Sequence, residues 1–131
     1  MYLVDTNIWL ERLLNQEKSK EVGKFLAGIS SENIYITDFT FHSIGIILCR
    51  LNRKKALLQF VHDIFINGAV NLVYLEPSDI DYLLEVIDKF ALDFDDAYQY
   101  VAAEKYNLTI VSFDSDFDRT KQGRKTPAEI F

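Results

Sequence analysis

The sequence predicts an α/β fold, a three-layer α/β/α sandwich with a central parallel sheet, and three observations carry that expectation. Short apolar runs of strand character alternate with longer stretches whose apolar residues recur at helical spacing, which favours parallel pairing through right-handed crossovers. Aspartates lie just past two of the runs, at Asp5 and Asp114, and the pair Asp95-Asp96 marks the start of a late helix. Ligand sites in open parallel sheets form outside the carboxyl ends of the strands, where these acids fall. The 131 residues suit a single domain over residues 1–131, long enough to bury about two-thirds of the surface its unfolded chain would expose.

The elements follow in order. Tyr2 to Val4 forms the first strand, and helices are expected from Thr6 to Leu14 and from Ser19 to Ile29, with stop signals at Gly28 and Ser30-Ser31. Ile34 to Thr37 is the second strand. Asp38 or Thr40 offers an N-cap for a helix whose Phe41, Ile44, Leu48 and Leu51 share one face. The next helix spans Arg53 to Ile66 and closes at Asn67-Gly68, where a glycine suits a left-handed cap. Val70 to Leu75 is the third strand, Pro77-Ser78-Asp79 starts a helix carrying Ile80, Leu83, Leu84, Ile87 and Phe90, and the helix after Asp95-Asp96 buries Ala97, Val101 and Ala102. Leu108 to Ser112 is the fourth strand, and Ala128 to Phe131 reads as a short final strand or turn.

Composition narrows the class of protein. Nearly half the residues are apolar and a quarter charged, as in soluble globular chains. No apolar stretch approaches a membrane span and position 5 is charged, so no membrane association, no secretory leader and a cytoplasmic location are expected. Cys49 is the only cysteine, which excludes an internal disulfide or a thiolate zinc site from this chain alone, and its apolar helix predicts a packed core thiol. His62, Trp9, Phe39, Phe41, Phe60 and Phe65 have structural explanations, the aromatics as core and His62 as a surface or half-buried residue. Surplus apolar surface between Phe39 and Phe65 also offers a dimer face.

The net charge of −6 speaks against nucleic acid in bulk, yet the basic residues are not evenly spread. Arg50, Arg53, Lys54 and Lys55 form one run and Arg119, Lys121, Arg124 and Lys125 another. Two readings stand side by side for them, a solvated helix end with a loose tail, or contacts to phosphate.

An isolated carboxylate after an apolar strand needs a cation, hydrogen-bond donors or a chemical task to offset its desolvation. Taken singly, Asp95 and Asp96 also suit a helix N-terminus, and Asp114 and Asp116 also suit a solvated loop. Asp5, Asp96 and Asp114 together fall on one edge of the expected sheet, with Thr6, Asn7 and Ser112 nearby to orient them. Such a set matches Mg²⁺ or Mn²⁺, hard ions that take oxygen ligands and serve phosphodiester hydrolysis.

Four ordered motifs cover essentially the whole chain: Val4-Asp5-Thr6-Asn7, Asp95-Asp96-Ala97, Ser112-Phe113-Asp114-Ser115-Asp116-Phe117 and Thr126-Pro127-Ala128-Glu129-Ile130. In this it resembles the PIN-domain family, in particular ribonucleases of the VapC-like toxin type. The resemblance implies an α/β/α fold, Mg²⁺- or Mn²⁺-dependent hydrolysis of RNA by activated water, homodimerisation and inhibition by a cognate antitoxin. By position it makes Asp5, Asp96 and Asp114 the catalytic and metal-site acids, with Asp116 a further acid near a second metal position.

The chain departs from the pattern at Ser43, where the family usually carries a glutamate in the helix after the second strand. A hydroxyl does not replace the missing charge, although Ser43 can bind through water, and Asp38, Asp93 and Asp95 are candidate compensating acids. Ser43 is the ground for a second reading, a catalytically weakened PIN-like module that binds RNA or protein. A third reading, a phosphatase-like enzyme with Asp5 as covalent nucleophile, lacks its usual partner because Asn7 stands where a second aspartate belongs.

Overall fold

In the computed structural model, which describes residues 1–131, four parallel strands pair in the order β3-β2-β1-β4. They are β1 (Tyr2–Val4), β2 (Ile34–Thr37), β3 (Asn71–Val73) and β4 (Thr109–Val111). Seven helices surround them: α1 (Thr6–Leu13), α2 (Ser19–Gly28), α3 (Asp38–Arg50), α4 (Lys54–Val61), α5 (Ile80–Phe90), α6 (Phe94–Tyr106) and α7 (Pro127–Ile130). No helix is long and apolar enough to cross a membrane.

The two-residue period of the strands sorts the core into two layers. Leu3 and Ile110 pack under α5 and α6 with Leu83, Val86, Tyr100 and Val101. Their strand neighbours Val4 and Val111 face the other way, into a cluster with Ile8, Trp9, Phe25, Ile44 and Leu48. The register pairs Leu3 with Ile110 and Val4 with Val111, and the ladder runs on to the site, since Asp5 N–H donates to Val111 O at 3.0 Å. The order of strands reverses at β1, because β2 and β3 continue on one side and β4 returns on the other. The cleft above β1 and β4 is thus the topological switch point of the sheet.

Several local expectations change. The N-cap of α3 is Thr37, whose hydroxyl accepts from Thr40 N–H at 3.1 Å, and Asp38 already lies in the first turn. Leu51 sits past the end of α3 at 50 % exposure, and Cys49 is exposed on the outer side of that helix instead of packed in the core. The α4 helix stops at Val61, and His62–Ile66 continues as a wider π-type turn. Gly68 does not serve as a left-handed cap; a Cβ there would lie 2.6 Å from Asp63 O and 2.9 Å from Ile64 O, so the glycine permits close backbone approach. The chain end is neither strand nor turn. Pro127–Ile130 is helical, begun by a reciprocal cap between Thr126 and Glu129.

Candidate functional site

Each acid reaches the carboxyl edge by a different local device. Asp5 ends β1 and caps α1, accepting from Thr6 N–H at 2.8 Å. Asp96 lies in the first turn of α6, one residue after Asp95, whose Oδ1 accepts from Asp96 N–H at 3.0 Å. Asp114 and Asp116 come from the turn after β4, where Asp116 N–H donates to Asp114 Oδ1 at 2.9 Å. Carboxylate oxygens of Asp96, Asp114 and Asp116 all lie within 4.8 Å of one another.

Beside this cluster lies an open cavity of about 350 Å³ bordered by Asp5, Thr6, Asn7, Ser43, Asp95, Asp96 and Asp114. Asp5 is 7 % exposed and forms its inner wall. Ser112 Oγ donates to Asp5 Oδ2 at 2.7 Å, and Gln99 Nε2 donates to Asp5 Oδ1 at 2.9 Å. Asn7 ties the first turn of α1 to the segment after β4, its Nδ2 reaching Ser112 Oγ at 3.2 Å while its Oδ1 accepts from Phe113 N–H at 3.2 Å.

Packing negative groups this closely is unfavourable without a proton or a cation. At 4.8 Å, each pair of ionised carboxylates repels by about 3 to 4 kcal/mol at the effective dielectric of a protein surface. Burial, and then the charges of Asp114, Asp95 and Asp5, push the Asp96 carboxyl up to about 8. Burial also holds Asp5 above the ordinary carboxylate range, against the hydrogen bonds from Ser112, Gln99 and Thr6, and the Asp114 charge adds to the rise. A hard divalent cation fits this donor set, because it relieves the repulsion and finds only oxygen ligands.

The expected residues fall into three groups. Asp96, Asp114 and Asp116 converge, with Asp5, Thr6, Asn7 and Ser43 on the adjoining cavity and Ser112 buried behind Asp5. Of the acids that stand as substitutes for a residue at position 43, only Asp95 borders the cavity. Asp38 is bound instead to the Tyr98 hydroxyl at 2.8 Å and to Phe39 N–H.

None of Arg50, Arg53, Lys54, Lys55, Arg119 and Lys121 borders the acidic cavity. Arg119 reaches the cluster from outside the cavity, pairing with Asp116 Oδ1 at 3.0 Å, and it donates to the carbonyls of Phe90 and Ala91. Gln99 was not among the sequence candidates. Its one sequence signal is its place one turn beyond Asp96 on the same helix face; the unbroken burial from Asp96 to Ala103 emerges from the structure.

A parallel α/β/α sandwich with an acidic cavity at its switch point is the class that fold and site define. A family model for the PIN domain matches residues 2–123. The chain belongs to the PIN-domain family. No curated protein matches it by sequence.

Among solved structures, the fold is similar to a toxin-antitoxin complex from Klebsiella pneumoniae (TM-score 0.77, 16 % identity, 97 % of this chain and 98 % of that one). It is similar also to FitAcB from Neisseria gonorrhoeae (TM-score 0.74, 20 % identity, 97 % and 98 %). A third is VapC20 from Mycobacterium tuberculosis, described as a sarcin-ricin loop cleaving toxin (TM-score 0.76, 15 % identity, 90 % and 93 %).

Proposed function

We propose that the protein is a metal-dependent endoribonuclease formed by a single PIN-like domain, acting in the cytoplasm as the toxin of a toxin–antitoxin pair. The observation that carries this reading is the convergence of Asp96, Asp114 and Asp116 oxygens within 4.8 Å of one another, beside the buried Asp5. Asp96, Asp114 and Asp5 would hold Mg²⁺ or Mn²⁺ directly or through water, with Asp116 alongside. When bound, the ion supplies an activated water and neutralises charge on the phosphate under attack.

The chain supplies position. Ser112 and Gln99 hold the two oxygens of Asp5, Asn7 ties the start of α1 to the segment after β4, and Asp95 borders the same cavity as the neutral Ser43. The toxin described as cleaving the sarcin-ricin loop supports RNA as substrate, and the toxin-antitoxin complex supports an antitoxin partner.

Two apolar grooves support protein contacts, those of a second copy and an antitoxin. One, between α3 and α4, is bordered by Phe41, Gly45, Ile46, Cys49, Leu57 and Val61 and encloses about 510 Å³. The other lies among α1, α2 and α4, bordered by Trp9, Leu13, Leu26, Phe60 and Ile64. The exposed Arg53, Lys54 and Lys55 are the first choice for phosphate contacts.

The test is RNA cleavage in added Mn²⁺. Asp96→Asn should cut RNA at least roughly a hundredfold more slowly than the parent, since a metal-site acid supplies several kcal/mol of charge stabilisation. Equal rates would remove the basis for the reading. Ser43, on the cavity wall where the family carries an acid, favours a second reading, a PIN fold that binds RNA or protein without efficient cleavage. Calorimetry with Mn²⁺ separates the two, because such a module has no ion site that disappears in Asp5→Asn.

A further inference from the structure

Every buried side-chain nitrogen and oxygen in the protein has a hydrogen-bond partner, and Gln99 makes three such bonds beside the site. Its side chain is 2 % exposed and lies on α6, in the layer opposite α1 and α3. The carboxamide crosses the top of the sheet. Nε2 donates to Asp5 Oδ1 and to Thr40 Oγ1, each at 2.9 Å, and Oε1 accepts from the Thr37 hydroxyl at 2.7 Å. Thr37 in turn accepts from Thr40 N–H at 3.1 Å, and Thr40 Oγ1 lies 2.8 Å from Thr6 Oγ1. One amide therefore ties the ends of β1 and β2 to the first turns of α1 and α3.

We propose that Gln99 is a positioning residue for Asp5, with Thr37 setting the orientation of its amide; the proposal rests on the metal-site reading above. The residue type is the argument. An apolar side chain of the same length would fill the space without burying a polar group that must be satisfied. Lysine or arginine would neutralise Asp5, and glutamate would repel it. A neutral amide donates to the carboxylate and leaves the negative charge of the site intact for a cation, as the Ser112 hydroxyl does on the other oxygen. Thr37 gives its proton to Oε1, which turns the donor end of the amide toward Asp5. Thr37 does not itself border the cavity; it reaches the site through Gln99 and, as the N-cap of α3, through Thr40.

The experiment is calorimetric titration of the metal-free protein with Mn²⁺, well below the melting temperature, for the parent, Gln99→Met, Thr37→Val, Asp96→Asn and Ser19→Ala. Ser19 is equally a buried polar residue, but on α2 and bonded to Arg12. Gln99→Met and Thr37→Val should each weaken Mn²⁺ binding by roughly 10- to 100-fold, the range for partners that orient a metal ligand, while Ser19→Ala binds as the parent does.

If Gln99→Met does not fold, Thr37→Val carries the test by itself. Parental affinity in the folded variants overturns the positioning role alone, and so does an equal loss in Ser19→Ala, which would mark a general effect of destabilisation. A parent with no Mn²⁺ site that Asp96→Asn removes overturns the metal reading, and this proposal with it.

Discussion

Replacing Asp96 by asparagine should stabilise the metal-free protein at neutral pH and abolish most of the gain that Mn²⁺ provides. The Asp96 carboxyl is raised from 3.8 to about 8 by burial and by Asp114, Asp95 and Asp5. Its protonated form is favoured in the folded state, so the stability it contributes is fully present below the ordinary pKa and is lost as pH rises through about 8. In that window one proton is worth at most about 1.4 kcal/mol per pH unit, or about 2.7 kcal/mol between about pH 5 and about pH 7.

For a chain of this size that corresponds to a fall in melting temperature of about 10 °C in the parent as pH rises across those two units. Asp96→Asn removes this titrating group and leaves that of Asp5, whose carboxyl burial also raises. Thermal unfolding in EDTA at the two pH values measures it, and repetition in saturating Mn²⁺ should raise the parent far more than the variant. The reasoning fails if the two proteins show the same pH slope in EDTA, or if Mn²⁺ stabilises both equally.

Other substitutions test neighbouring parts of the argument. Ser43→Glu adds a carboxylate to the cavity wall and should tighten Mn²⁺ binding by roughly tenfold, as one added charged ligand can, measured by calorimetry; weaker binding would show that position 43 does not face the ion. Lys54→Ala with Lys55→Ala should lower RNA affinity and reduce the slope of log affinity against log salt by about 1.4 if both touch single-stranded phosphate; an unchanged slope places the RNA elsewhere. Gly68→Ala forces a Cβ to 2.6 Å from Asp63 O and should destabilise by about 1 to 3 kcal/mol. Gly45→Ala, in the interior of α3 with Leu57 at 3.9 Å as nearest neighbour, should raise the denaturant midpoint, by roughly 0.5 to 1 kcal/mol of stability.

The layered fold was legible because Tyr2–Val4, Ile34–Thr37 and Thr109–Val111 are apolar segments too short for helices and separated by helical periodicity. The placing of Asp5, Asp96 and Asp114 around one cavity was legible because element boundaries on one sheet edge are close in space; Asp116, which lies with Asp96 and Asp114, came only from the family resemblance. Gln99 escaped because a glutamine in mid-helix ordinarily faces water; α6 has no water face from Asp96 to Ala103, which only the packing reveals. Cys49 was misplaced for the opposite reason. The α3 sequence is apolar on more than one side, and periodicity does not separate a core face from the side that lines an open groove. At the chain end, the pairing of Thr126 with Glu129 outweighed the apolar character of Ile130 and Phe131 and produced a helical turn.

The ladder bond from Asp5 N–H to Val111 O makes the acidic rim an extension of the pleat beneath it. Leu3 and Ile110 face one layer, Val4 and Val111 the other, so a slip of one residue in β4 would exchange the layers and carry Ser112 and Asp114 out of step with Asp5. The carboxylates therefore cannot be tuned one at a time from below. A change of volume at Ile110 or Leu3, two to four residues from the acids of their strands, bears on the placing of Asp5 and Asp114 together.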